Sequence, residues 1–186
     1  MQMKNFIMTM SDGFQISVNR WIPDEDIEVK GVIQLHHGLK EHSLRYDRFG
    51  SVLAENGFVL NAYDMRGHGR TAQNAEANGT GMFGKLADKD GFFRVTDDLF
   101  EITQALKKDY PEKKVILMGH SFGSFVSQCF LEKYGDFIDM CILCGTAGPM
   151  AITGFGKIIC YIVKSIKGPN KPSHLLHELA FGSYNK

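Results

Sequence analysis

A serine set in a glycine-tight turn constrains this chain more than any other feature. Val115-Ile116-Leu117-Met118 is an apolar run of the buried-strand type, and residues 125–134 read as a helix. Between them stands Gly119-His120-Ser121-Phe122-Gly123. A G-x-S-x-G between a strand and a helix is the pattern of a nucleophile elbow. Its turn is so tight that the positions flanking the serine must be nearly free of side chain, and the serine is forced into a strained, exposed conformation. Ser121 is therefore the candidate nucleophile, with Gly119 and Gly123 as the elbow glycines. Such a serine needs a histidine and an acid, and in this architecture both come later in the chain. The sequence given ends at Lys186, and only His174 and His177 follow Ser121.

The rest of the chain supplies the frame for that turn. Residues 4–9 and 14–21 read as two strands joined by Ser11-Asp12-Gly13, a good hairpin turn. Residues 31–36 form a continuous apolar run of the buried-strand type. Residues 46–55 have helical spacing through Phe49, Val52 and Leu53, and Asn56-Gly57 stops them. Residues 58–63 read as a strand. Residues 92–110 read as a long helix striped by Val95, Leu99, Ile102 and Leu106, with Pro111 after its end. Residues 138–144 read as a further strand. After the early β pair, strand and helix alternate, which predicts an α/β fold: a mostly parallel sheet with helices on both faces.

From Gly148 the pattern breaks into glycines, prolines and short amphipathic pieces. A core over residues 1–147 and a second region over 148–186 are expected. Ile158, Ile159, Ile162, Val163 and Ile166 share one face of a helix, and Lys157, Lys164 and Lys167 lie on another. A surface helix packed on the body is the simpler expectation. A lid over an apolar pocket, or a helix in weak contact with a membrane surface, is the functional one.

Charge and cysteine usage exclude several classes. Lys+Arg and Asp+Glu are equal at 21 each, so no global field draws in nucleic acid. Residues 1–10 lack the apolar core of a signal peptide, and the apolar stretch 152–166 is too short and too charged for a membrane span. The four cysteines are therefore expected to be reduced and the protein cytoplasmic. Cys141 and Cys144 match C-x-x-C but fall inside a strand-like run, where they are expected to serve as small buried residues.

Three other clusters invite a chemical reading. His36, His37 and His42 lack a further ligand at suitable spacing, and the first two are expected on opposite faces of a strand, so no metal site follows. Gly79-Thr80-Gly81-Met82-Phe83-Gly84 matches G-x-G-x-x-G but follows no strand. Residues 72–78 before it read as polar loop, so the match carries no phosphate-binding expectation. Asp64-Met65-Arg66-Gly67-His68-Gly69 resembles an anion cradle in composition, but Asp64 and Arg66 are expected to brace the end of the sheet instead. The His37-Gly38 loop is different. Following an early strand, it can turn backbone N–H groups toward the elbow, where acyl transfer needs donors for the developing oxyanion. The Leu39 and Phe122 amides are the expected pair.

Taken together these loops resemble one family. His37-Gly38-Leu39-Lys40-Glu41-His42-Ser43-Leu44-Arg45-Tyr46 is similar to the H-G-x-x-E-H-S-x-R-Y oxyanion loop of monoacylglycerol lipases and lysophospholipases. Asp64 to Gly69 is similar to their D-x-R-G-H-G loop, and Gly119 to Ser124 to their G-H-S-x-G-[SG] elbow. The resemblance implies the α/β-hydrolase fold, Ser121 as nucleophile, and Leu39 and Phe122 as the oxyanion hole. It implies a serine ester hydrolase that uses neither cofactor nor metal and acts on a small lipid ester. An aminopeptidase-like or other esterase specificity, and a non-catalytic product, remain alternatives. The segment from Gly148 resembles the start of the family's cap, and the ending at residues 181–186 a point within it. The family's acid and histidine follow the cap, so this chain alone is expected to be inactive or nearly so.

Overall fold

The computed structural model describes residues 1–148, 152–168, 171 and 173–182. Pro169, Pro172 and residues 183–186, which belong to the cap-like stretch read above, lie outside the described residues. The chain divides into two compact units, Met1–Thr146 and Ala147–Lys186.

The first unit is built on a six-stranded sheet. Its strands are β1 (Gln2–Thr9), β2 (Gln15–Ile22), β3 (Gly31–His36), β4 (Phe58–Tyr63), β5 (Val115–His120) and β6 (Met140–Cys144), in the spatial order β1-β2-β4-β3-β5-β6. The β1–β2 and β2–β4 pairs are antiparallel and the remaining pairs parallel. The first hairpin closes as its residues dictate: Gly13 takes a left-handed φ of 81°, and the Phe14 amide donates to Asp12 Oδ1 at 3.1 Å. Its helices are α1 (Asp47–Glu55), α2 (Gly69–Ala77), α3 (Gly91–Asp109) and α4 (Phe122–Tyr134).

Alternation along the buried strands sorts side chains to two faces. Ile33 and Leu35 of β3, with Leu60 and Ala62 of β4, join Trp21 and Ala54 in one buried cluster beside α1. Tyr63 and Leu117, from the opposite face, pack with Val95, Leu99 and Ile102 of α3 and Val126 and Phe130 of α4. This second face also carries a polar row. Arg20 Nε donates to Asn61 Oδ1 and Asn61 Nδ2 to Gln34 Oε1, both at 2.8 Å, across three adjacent strands. Arg20 ends the row in an ion pair with Asp109 of α3 at 2.7 Å.

Several boundaries differ from the sequence reading. Residues 72–78 are not a loop, since α2 covers all of them but Asn78. This helix buries only Thr71, Ala72 and Ala75, so it has no stripe of large apolar residues to announce it. Helix α4 begins at Phe122 rather than 125, immediately after the serine. Strand β5 extends through His120, and β6 starts at Met140 because a 3-10 turn, Gly135–Phe137, occupies the approach. Asp139 then fastens that approach: its amide donates to Val115 O at 2.9 Å and its Oδ2 accepts the Val115 amide at 2.8 Å.

The second unit contains α5 (Ile152–Lys167) and α6 (His174–Phe181). Gly168, at φ 83°, ends α5 by donating its amide to Lys164 O at 2.9 Å. Ser173 caps α6 by accepting the Leu176 amide. Among the described residues no helix is long and apolar enough to cross a membrane.

Candidate active site

Ser121 stands between β5 and α4 at φ 51°, ψ −116°, a conformation that L-residues rarely adopt. Only two other non-glycine residues, Lys40 and Asp90, have positive φ among the described residues. The flanking glycines have no room for anything larger. A Cβ on Gly123 would collide with the carbonyl oxygens of His36 and His37, and one on Gly119 with the Gly123 carbonyl and Ser127 Oγ. The serine is held from several sides. Its amide donates to Cys144 O at 2.8 Å, and its carbonyl accepts from Ser124 N at 2.9 Å and Ser124 Oγ at 2.6 Å.

The loop after β3 lies against this turn. A Cβ on Gly38 would come within 3.1 Å of Ser121 Cβ and 3.3 Å of His120 Nδ1. The Gly38 amide is taken by Glu41 Oε1. Next to it, the Leu39 amide meets no acceptor among the described residues, nor does that of Phe122 at the first position of α4. The two amides expected to serve as donors thus belong to segments in contact and are both uncommitted.

Glu41 is a residue to which the sequence reading gave no role. Its buried carboxylate gathers the Gly38 amide, His120 Nδ1 at 2.7 Å and the Tyr46 hydroxyl at 3.1 Å, all on Oε1, while Arg45 Nη1 stands 3.5 Å from Oε2. Burial pushes its pKa up, but the hydrogen bonds from His120, Gly38 and Tyr46 outweigh burial and hold it below the ordinary carboxylate value. Tyr46 responds in the other direction: burial and the neighbouring Glu41 charge raise its phenol above the usual range.

Asp64 is the second anchor. Its Oδ1 accepts from Ser43 N at 2.7 Å and Ser43 Oγ at 2.5 Å, and its Oδ2 from Arg70 N at 2.7 Å at the start of α2. A Cβ on Gly69, at φ 49°, would collide with this carboxylate. Arg66 turns the other way. It pairs with Asp98 of α3 at 2.6 Å and Asp12 of the first hairpin at 2.8 Å, with its guanidinium 4.3 Å from the Phe14 ring centroid. The D-x-R-G-H-G loop therefore braces the sheet end and does not cradle an anion: its aspartate and arginine are both engaged by protein groups.

The histidines behind the loop are structural. His37 lies just past β3, so the two rings do not take opposite faces and their centroids stand 5.9 Å apart. Its Nδ1 donates to Gly38 O at 2.7 Å while Nε2 accepts the Met65 amide at 3.1 Å, bridging two loops as a neutral ring. Burial lowers its pKa to about 4, and that of the fully buried His36 to about 3. Among the described residues no group of three or more His, Cys, Asp or Glu side chains gathers as a metal site. The glycines of the G-x-G-x-x-G match follow α2, not a strand. His174 and His177 sit in the second unit beside Glu178, at 3.8 and 3.3 Å.

A mostly parallel sheet that delivers a strained serine between its fifth strand and the following helix defines an α/β-hydrolase. The chain belongs to the serine aminopeptidase, S33 family, whose model matches residues 27–175. It is 29% identical over 163 residues to the monoglyceride lipase of Homo sapiens, covering 86% of this chain and 49% of that one. It is 27% identical over 135 residues to the monoacylglycerol lipase of Mycolicibacterium smegmatis, covering 73% and 44%. Among solved structures, a lipase in its open form superposes with a TM-score of 0.79 at 26% identity, covering 98% of this chain and 57% of that one. A carboxyl esterase from Bacillus coagulans gives 0.78 at 24%, covering 96% and 55%. The chain thus spans about half the length of the relatives it matches.

Proposed function

We propose that this chain carries the nucleophile and oxyanion hole of a serine ester hydrolase acting on monoacylglycerol- or lysophospholipid-like esters. The observation that carries the reading is Ser121 at φ 51°, ψ −116° between glycines that admit no side chain, with the Gly38 loop against it. Ser121 Oγ attacks the ester carbonyl carbon. The carbonyl oxygen becomes an oxyanion that accepts from the Leu39 and Phe122 amides. The ester C–O bond then breaks, the alcohol leaves with the proton, and water releases the acyl group from serine as a carboxylic acid. A base must take the Ser121 proton. The residues described around Ser121 supply no acid–histidine pair aimed at its hydroxyl, and we assign that role to no residue of this chain.

The lipid-ester substrate is supported by the likeness to monoglyceride lipases and by the loops shared with that family. A contact with a membrane surface through α5 is supported by its exposed Tyr161, Ile162 and Ile166 beside Lys164 and Lys167. Four free thiols fit a reducing, cytoplasmic setting. The second reading, an aminopeptidase-like specificity, is favoured by the name of the matching family and by 28% identity over 156 residues to the proline iminopeptidase PfmaB of Pestalotiopsis fici.

The test is hydrolysis of a short p-nitrophenyl ester by the purified chain and its Ser121→Ala variant. Lacking an assigned base, the chain is expected to turn over about 10⁴ to 10⁶ below a complete enzyme of this kind. An ordinary enzymatic rate lost in Ser121→Ala would show that a base is present, and His174→Ala and His177→Ala would then locate it. An ordinary enzymatic rate unchanged by Ser121→Ala would overturn the assignment of the nucleophile.

A further inference from the structure

We propose that Glu41 is the positioning residue of the loop–elbow junction: its buried carboxylate holds the turn at residues 38–40 against His120 and thereby fixes the Leu39 amide relative to Ser121. The inference rests on the reading of Ser121 and its two amides given above.

The geometry is specific. One carboxylate oxygen collects donors from three places in the chain: Gly38 in the loop, Tyr46 before α1, and His120 next to Ser121, 79 residues away. Two of these donors flank the reaction centre directly. Gly38 precedes Leu39, and His120 precedes Ser121, so one carboxylate ties together the backbones that present the two amides. Lys40, at φ 58°, completes a turn that brings Glu41 back over Gly38. Gly38 itself cannot carry a side chain, since a Cβ there would fall on Glu41 Oε1. Its amide is thereby removed from competition, leaving Leu39 as the available donor of the loop. Hydrogen bonds to an ionised acceptor are about twice as strong as neutral ones, so the carboxylate is a firmer tie than an amide oxygen at the same place. Oxyanion donors act only when held near 3 Å from one shared point, and a loop free to drift forfeits that alignment.

The test uses the full chain in its native form, with Glu41→Ala, Glu41→Gln and Tyr46→Phe variants. Amide NMR reads the junction, and titration with a straight-chain alkylboronic acid reads the oxyanion hole through its tetrahedral adduct on Ser121. In the native chain the Gly38 amide proton is expected well downfield and slow to exchange. Glu41→Ala should return it to the ordinary range, speed exchange at residues 38–40 and weaken boronate binding about tenfold or more, at or below the cost of losing one oxyanion donor. Glu41→Gln, which keeps an acceptor of the same reach, should restore most of the exchange protection and most of the affinity. If Glu41→Ala does not fold, Glu41→Gln and Tyr46→Phe decide: each should move the Gly38 resonance. A Gly38 resonance unmoved in folded Glu41 variants, or boronate affinity unchanged while the loop loosens, overturns the proposal. Boronate affinity surviving in Ser121→Ala would instead overturn the serine reading, and the Gly38 resonance would still decide whether Glu41 holds the loop.

Discussion

Strands β4 and β6 both read as short apolar runs, both pair in parallel within one sheet, and they meet opposite fates. In β4 five of six residues are buried, including Val59, Leu60 and Tyr63 at 0% exposure. In β6 none is fully buried: Met140 and Ile142 stand 57% and 39% exposed, and Cys141 and Cys144, expected as buried residues, are only partly covered because the strand lies at the sheet's edge among the described residues. The difference is position. β4 has neighbours on both edges and helices across its faces, whereas β6 ends the sheet among the described residues. After β4, Asp64 and Arg66 engage four other segments; at the end of β6, Cys144 O accepts the Ser121 amide, and just beyond it Thr146 Oγ1 accepts from Gln128 Nε2 of α4 at 2.5 Å. Burial thus belongs to the place a strand occupies.

Breaking the covered end should have the largest effects. Gly123→Val places atoms on the His36 and His37 carbonyls, where backbone cannot yield, and is expected to cost about 4 kcal/mol or more and to prevent a stable fold, as read by chemical denaturation. Acidification should act on the same end. Buried His36 and His37 stay neutral in the folded chain down to about 3 and 4, whereas the unfolded chain takes up both protons below about 6.5. Stability is therefore retained above about pH 6.5 and falls as pH drops toward 4, by on the order of 5 kcal/mol between pH 7 and 4.5. A thermal melt unchanged over that interval would mean the two rings are not buried as described. Asp64→Ala strands the Ser43 and Arg70 donors and should cost roughly 3 kcal/mol, with the loss read by equilibrium unfolding.

A matched pair sharpens the comparison itself. Leu60→Ala in β4 should cost about 3 kcal/mol, and Met140→Ala in β6 under about 0.5 kcal/mol. Similar values for the two would show that β6 is covered in solution, for instance by a second copy of the chain. Light scattering on Ile142→Lys tests that directly, since a charge on an open edge should shift an associating chain toward monomer.

The elements with strong periodicity were legible in the sequence. Val95, Leu99, Ile102 and Leu106 announced α3, and the elbow announced both its flanking elements. What stayed hidden was set by contacts far apart in the chain. Helix α2 packs through alanines and is started by Asp64, which accepts the Arg70 amide from outside the helix. The start of α4 was missed because Phe122-Gly123-Ser124 is a poor helical opening by propensity, and only the fixed turn at Ser121 makes it one. Candidate site residues at the elbow were readable because the G-x-S-x-G spacing is local. Glu41 stood in a recognisable motif, but its bond to His120 spans 79 residues and no local pattern carries that distance.

The polar row of Arg20, Asn61 and Gln34 has a consequence for assembly order. Strands buried on both faces are nearly uniform in hydrophobicity, so their apolar residues scarcely distinguish one alignment from a neighbouring one. Asn61 does distinguish them. Sliding β4 by a single residue would turn its amide to the other side of the sheet, leaving Gln34 Oε1 and Arg20 Nε without their partner in a dry interior. The row works as a key that fits one alignment, and a nascent sheet that closes in the wrong one would be penalised enough to reopen before the helices seal it.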